Sequence, residues 1–164
     1  MVMRLLRRAV IAAVLLLAAA APAGADITAF IGANTTPDNR QARGFAIGTG
    51  LLFIGFEFEY SSTTDDLEAT PQAPSLKSGM GNLLLQTPVD VMGFQPYLTV
   101  GGGIYNESLG TRSDTGFGAN TGGGVKINLA GPVRLRLDYR VFKLGSGALN
   151  SPAHRIYAGL NLKF

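Results

Sequence analysis

The 164-residue chain carries 14 Lys and Arg against 11 Asp and Glu, one His, no Cys and no Trp. Without cysteine it has no disulfide to hold an exported fold together and no thiolate for a metal or a lipid anchor. The basic excess resides in Arg4, Arg7 and Arg8; over residues 26–164 acidic and basic residues are equal in number, which removes the electrostatic case for a nucleic-acid partner.

The first 25 residues, MVMRLLRRAVIAAVLLLAAAAPAGA, join a basic start to an apolar run ended by Pro22 and the small triplet Ala23, Gly24, Ala25. This is the pattern of a secretory signal peptide cleaved after Ala25, and the run from Ala9 to Ala21 is short for a membrane span of about 20 residues. Residues 26–164 are expected to form one domain.

From residue 26 onward apolar residues recur with period two rather than 3.6, between clusters of Gly, Ser, Thr, Asp, Asn and Pro. The pattern predicts eight strands, over residues 26–34, 41–51, 54–62, 75–87, 95–106, 116–129, 133–143 and 153–164. In the third, Ile54, Phe56, Phe58 and Tyr60 oppose Gly55, Glu57 and Glu59. In the sixth, Val125, Ile127 and Leu129 oppose Gly122, Gly124, Lys126 and Asn128. In the seventh, Val133, Leu135, Leu137, Tyr139 and Val141 oppose Arg134, Arg136, Asp138 and Arg140. The last ten residues alternate Ile156, Ala158, Leu160, Leu162 and Phe164 with Arg155, Tyr157, Gly159, Asn161 and Lys163.

The connections alternate too. Those near 51–53, 88–94 and 130–132 are short or compact, whereas TPDNR, TTDDLEATPQAP, ESLGTRSDT and GSGALNSP are polar. Tight turns on one rim and polar loops on the other are the pattern of an up-and-down outer-membrane barrel, with both chain ends on the tight-turn side. Two solvents suit two-faced strands: a soluble sandwich or lipocalin-like barrel buries the apolar face, and a membrane barrel turns it to lipid. Glycines inside predicted strands, such as Gly101 to Gly103 and Gly122 to Gly124, favour the membrane barrel, where tiny residues leave room for long charged side chains from the opposite wall.

The alternation closing on Phe164 looks like the signature read by the outer-membrane barrel assembly machinery. The segment from Phe94 to Phe142 contains Pro96 and Tyr97, the run Gly101 to Gly103, Val125 with Lys126, and Leu137, Asp138, Tyr139 and Arg140. It resembles the fifth to seventh strands of the small outer-membrane β-barrel family, relatives of the outer-membrane protein A and X barrels. The resemblance implies an all-β, eight-stranded antiparallel up-and-down transmembrane β-barrel, monomeric and without cofactor, in the cell outer membrane of a Gram-negative-type bacterium. It implies outer-membrane lipid and lipopolysaccharide as surroundings, and the assembly machinery and periplasmic chaperones as biogenesis partners. Leu160, Leu162 and Phe164 would be the assembly signal. No residues follow Phe164, so the peptidoglycan-binding domain of larger members is not expected.

Glu57, Glu59, Lys126, Arg134, Arg136, Asp138 and Arg140 all point into the lumen of such a barrel. Buried charges must pair or bear a large desolvation cost, which predicts a salt-bridge network across the interior. Two roles stay open for it, a structural plug and a narrow ion path gated by the pairs. His154, with Ser146 and Ser151 nearby, offers the elements of a nucleophile and its base. The order Asn150, Ser151, Pro152, Ala153, His154 lacks the His-x-Ser-Asn arrangement of membrane lipid deacylases, and no acid partner is assignable. No catalytic residue is therefore assigned, and a lipid A-modifying enzyme stands only as a further alternative to a structural, ligand- or partner-binding barrel. GANTGGGVK lacks the spacing of a phosphate loop. Asp65, Asp66 and Glu68 read as a solvated acidic loop rather than a calcium site, and no metal site is assigned. Phe53 and Phe164 are expected in the inner aromatic girdle, with Tyr60, Tyr105 and Phe117 nearer the outer rim.

Overall fold

A computed structural model describes residues 24–164. The expected leader lies outside the described residues except for Gly24 and Ala25. Eight strands follow one another: β1 (Gly24–Asn34), β2 (Arg40–Leu51), β3 (Ile54–Thr63), β4 (Ser75–Gln86), β5 (Phe94–Leu109), β6 (Arg112–Ala130), β7 (Val133–Lys143) and β8 (Ala153–Lys163). Each pairs antiparallel with its neighbours in sequence, and β8 returns to β1 over nine residue pairs, from Asp26↔Lys163 to Asn34↔Arg155. The barrel is closed, so no strand edge is left with unpaired N–H and C=O groups.

The register sets the barrel's width. The row Thr115, Asn106, Lys77, Ser62, Arg43, Ile31, Ala158, Leu137 comes back to β6 at Val125, ten residues from its start. That stagger tilts the strands and, with eight of them, leaves an interior that side chains can fill.

Three connections at the rim carrying the chain ends are compact. Leu52 and Phe53 join β2 to β3, with Leu52 at φ +53. Met92 and Gly93, at φ +54 and +85, cap the small Val91↔Phe94 bridge before β5, the left-handed pair that a tight hairpin turn demands. Gly131, at φ +53, and Pro132 join β6 to β7. At the outer rim, segments 35–39, 64–74 and 144–152 form the longer loops.

One outer connection departs from the sequence reading. ESLGTRSDT is not a loop: β5 runs on to Leu109 and β6 begins at Arg112, turning on Gly110 at φ +57. Alternating polar residues continue both strands. Asn106 Nδ2 donates to Ser113 Oγ at 3.0 Å and Thr115 Oγ1 at 2.8 Å, and the Ser108 and Ser113 hydroxyls lie 3.1 Å apart. Polarity marked this segment as water-facing, and paired strands projecting beyond the apolar band satisfy that as well as a loop does.

Strand parity separates the two faces. Ile47, Phe56, Phe58, Leu98, Leu137, Ile156, Leu160 and Leu162 stand exposed on the outside, while Glu57, Glu59, Lys126, Arg134, Arg136, Asp138 and Arg140 are buried inside. This is the reverse of a lipocalin-like barrel, whose apolar side chains would fill the interior. The apolar band ends at the register pair Ile104↔Phe117, and the next outward pair is Asn106↔Thr115. Phe53, Phe117, Tyr60 and Phe164 are exposed, but Tyr105 is not a girdle residue: it points inward and is buried. It lies over Gly116, where a Cβ would come 3.0 Å from its hydroxyl.

Leu137 lies mid-strand on the outer face of β7. Leu137→Arg should destabilise the barrel in lipid vesicles by about 2–4 kcal/mol, the cost of a cation at the membrane midplane, measured by reversible urea unfolding. An unchanged stability would place this face away from lipid.

Candidate functional site: the sealed lumen

The inward-facing residues form tiers between the two rims. Nearest the chain ends, Asp26 accepts from Lys126 Nζ at 2.5 Å and from Arg134 Nη2 at 3.1 Å through the same oxygen. Arg134 also donates to Asn161 Oδ1 at 2.7 Å and Gln95 Oε1 at 2.9 Å. Asp26, Gln95, Lys126 and Arg134 border a vestibule of about 310 Å³ that Gln86 and Lys163 also line.

Above them Arg136, on β7, reaches Glu57 on the diametrically opposed β3, and it also contacts Asp138 at 3.3 Å. Arg140, two positions beyond Asp138 on the same face, binds Asp138 at 3.0 Å, Glu57 at 2.8 Å and Glu59 at 3.1 Å. Tyr97 donates its hydroxyl proton to Asp138 and accepts from Arg136 Nε at 2.7 Å. Its ring lies against Gly124, where a Cβ would meet the hydroxyl at 2.5 Å. Asn82 and Asn120 extend the network, with Asn82 Nδ2 donating to Glu57 at 3.3 Å and Asn120 Nδ2 to Asn82 Oδ1 at 2.8 Å.

Arg155 closes the charged layer by donating to Glu59 at 2.5 Å, its guanidinium 4.7 Å from the Phe142 ring centroid. Phe30 stacks on Tyr157 at 4.1 Å beside it. Next comes an apolar plug of Leu76, Met80, Tyr105, Phe142, Leu144 and Ala153. Leu144 belongs to the 144–152 loop, so this loop folds inward over the barrel mouth. Glu107 holds it down by accepting the Leu149 N–H at 2.5 Å.

All seven charged residues singled out from the sequence thus meet inside. Asp26, Arg155 and Tyr97 complete their pairing and were missed. Strand parity pointed each of them inward, but their partners lie on strands distant in sequence. The cations Lys126, Arg134, Arg136, Arg140 and Arg155 face the anions Asp26, Glu57, Glu59 and Asp138. Sharing one carboxylate between two cations, at Asp26 and again at Glu57, keeps every charge within reach of an opposite one.

The other candidates are engaged elsewhere. His154 Nδ1 lies 2.6 Å from the Tyr139 hydroxyl, and Ser151 Oγ accepts the Leu144 N–H at 3.0 Å. Asp66 Oδ1 accepts the N–H groups of Glu68 and Ala69 at 3.0 and 3.1 Å, capping its own loop. Among the described residues no group of three or more His, Cys, Asp or Glu is placed to hold a metal.

No protein-family model and no curated protein sequence matches the chain. Among solved structures it is similar to the N-terminal β-barrel domain of Pseudomonas aeruginosa OprF, with a TM-score of 0.64 at 16% identity, covering 86% of this chain and 97% of that one. Neisserial surface protein A (NspA) aligns with a TM-score of 0.62 at 18% identity, over 87% and 96% of the two chains. The outer membrane enzyme PagL aligns with a TM-score of 0.50 at 16% identity, over 85% and 98%. The fold is that of the small eight-stranded outer-membrane β-barrels.

Removing Arg136 leaves Glu57 and Asp138 short of a partner in a closed interior, so Arg136→Ala should cost about 3–5 kcal/mol in vesicle unfolding. Arg134→Ala, beside the vestibule and with Lys126 still on Asp26, should cost clearly less. Equal losses would mean that the central pairs are no more buried than the mouth. Glu107 lies beyond the Ile104↔Phe117 edge of the apolar band, and burial pushes its carboxyl above the ordinary range. A raised acid favours the protonated folded form, so its contribution to stability falls as pH rises above that range. Glu107→Gln should therefore match wild type in acid and exceed it at neutral pH; a variant weaker at neutral pH than in acid, relative to wild type, contradicts this.

Proposed function

We propose that the chain is an integral outer-membrane barrel whose lumen is a closed structural core and whose activity resides in its exterior and outer loops. The observation that carries this reading is the fully buried pair Arg136 and Arg140, both bound across the lumen to Glu57, beneath the apolar plug. An ion crossing the barrel would have to part these pairs and leave buried charge uncompensated, at several kcal/mol each, and then pass between the packed side chains of Leu76, Met80, Phe142 and Leu144. In this reading residues 1–25 export the chain, and the exposed Leu160, Leu162 and Phe164 address it to the assembly machinery.

The shared fold leaves enzymatic activity undecided, because PagL is an enzyme on this architecture and function follows the site rather than the fold. The partners of His154 and Ser151, the Tyr139 hydroxyl and the Leu144 backbone, speak against a nucleophile and base pair here.

Reconstituted in planar bilayers, the purified chain should give no discrete conductance steps, and lipid A from expressing cells should be identical for wild type and His154→Ala. Steps that change with Glu57→Ala would establish the channel instead. Lipid A altered in a His154-dependent way would establish the enzyme.

A further inference from the structure

Charge on the strands is sorted by face as well as by pairing. The six strand carboxylates, Asp26, Glu57, Glu59, Glu107, Asp114 and Asp138, have inward parity. Three strand cations, Arg43, Lys77 and Lys143, instead stand exposed on the outer face, all toward the outer rim. None of the three makes an ion pair among the described residues. Unpaired cations at that height have no structural partner to explain them.

Two of them are neighbours. Arg43 is in register with Ser62, and Ser62 with Lys77, which sets the cations on alternate strands about 10 Å apart with a hydroxyl between them. Long basic side chains at this level reach up to the headgroups. Toward the membrane centre, beyond the row Phe45, Tyr60 and Gly79, lies an apolar groove of about 740 Å³ lined by Ile47, Phe56, Phe58, Gly81 and Leu83 and reaching Ala25 on β1. Its floor is open because Gly81 sits opposite Phe58 and Gly102 and carries no side chain; a Cβ there would meet nothing nearer than 3.8 Å.

We infer that Arg43, Ser62 and Lys77, with the groove beneath them, form a binding site for a phosphorylated outer-leaflet lipid of the lipid A class, its phosphate on the cations and an acyl chain along Gly81. Charge complementarity selects the headgroup, since guanidinium and ammonium donors bind phosphate oxygens through charge-assisted hydrogen bonds. The groove selects a lipid over a free anion. Lys143, on β7, stands three strands from Lys77 and outside the site. The inference rests on the membrane reading above.

The test folds the full chain into phosphatidylethanolamine nanodiscs, adds bisphosphorylated lipid A, and reads bound lipid by native mass spectrometry after release into detergent. Heat-modifiable gel mobility verifies that each variant is folded. Wild type should retain lipid A, the Arg43→Gln, Lys77→Gln double variant and Gly81→Leu should each lose about tenfold in affinity, and Lys143→Gln should stay within about twofold. Excess inorganic phosphate should not displace the lipid. A folded double variant that binds like wild type, an equal loss in Lys143→Gln, or full displacement by phosphate would overturn the assignment. Wild-type chain that never inserts would overturn the membrane reading with it, whereas insertion without lipid A retention overturns this site alone.

Discussion

Strand β8 finds its second hydrogen-bonding neighbour only by reaching back to β1, and the nine pairs of that seam close the sheet. In lipid no water is present to satisfy an open edge, so closure is the condition on which the rest depends. Closure with a stagger of ten residues sets a lumen narrow enough for side chains to fill and wide enough for arginines. It also makes the strand's period of two absolute, because a slip of one residue at any of the eight ladders would exchange an oily wall for a charged one.

Once the exterior is committed to apolar side chains, the interior has to be built from what remains. Charged side chains would be ruinous there singly, and the chain answers by bringing opposite charges together across the lumen. Glu57 on β3 takes both Arg136 and Arg140 from β7, and Asp26 on β1 takes Lys126 from β6 and Arg134 from β7. Glycine gives the space for this where aromatic rings lie flat on the wall, as Tyr97 does over Gly124. The outer end is finished differently, with Met80, Tyr105, Phe142 and Leu144 forming an apolar cap. The barrel thus has a charged middle and a greasy lid.

Much of this was legible in the sequence because period two is a local property. The eight strands, the inward direction of Glu57 and Arg136 and the compact connections at 51–53, 88–94 and 130–132 follow from neighbours in the chain. What parity does not report is height along the barrel or the identity of the opposite wall. Arg136 and Glu57 are 79 residues apart, and only the stagger of the closed sheet brings them level. Asp26 and Arg155 escaped notice for the same reason. Tyr105 was misplaced because tyrosine suits both an interfacial girdle and a polar interior, and the hairpin at Gly110 was hidden because its strands turn polar where they leave the apolar band.

In the proposed barrel the apolar face meets lipid and the polar face meets a sealed interior. The chain has no Trp, so single tryptophans can report on each face in turn. Placed at Leu160 or Leu137, tryptophan should be quenched by lipids brominated on their acyl chains. Placed at Tyr157, where one aromatic replaces another, it should be quenched neither by those lipids nor by aqueous acrylamide. Quenching of the Tyr157→Trp reporter by acrylamide would reveal an open, watered lumen, and its quenching by brominated lipid in place of the Leu160→Trp reporter would show that the two faces had been assigned the wrong way round.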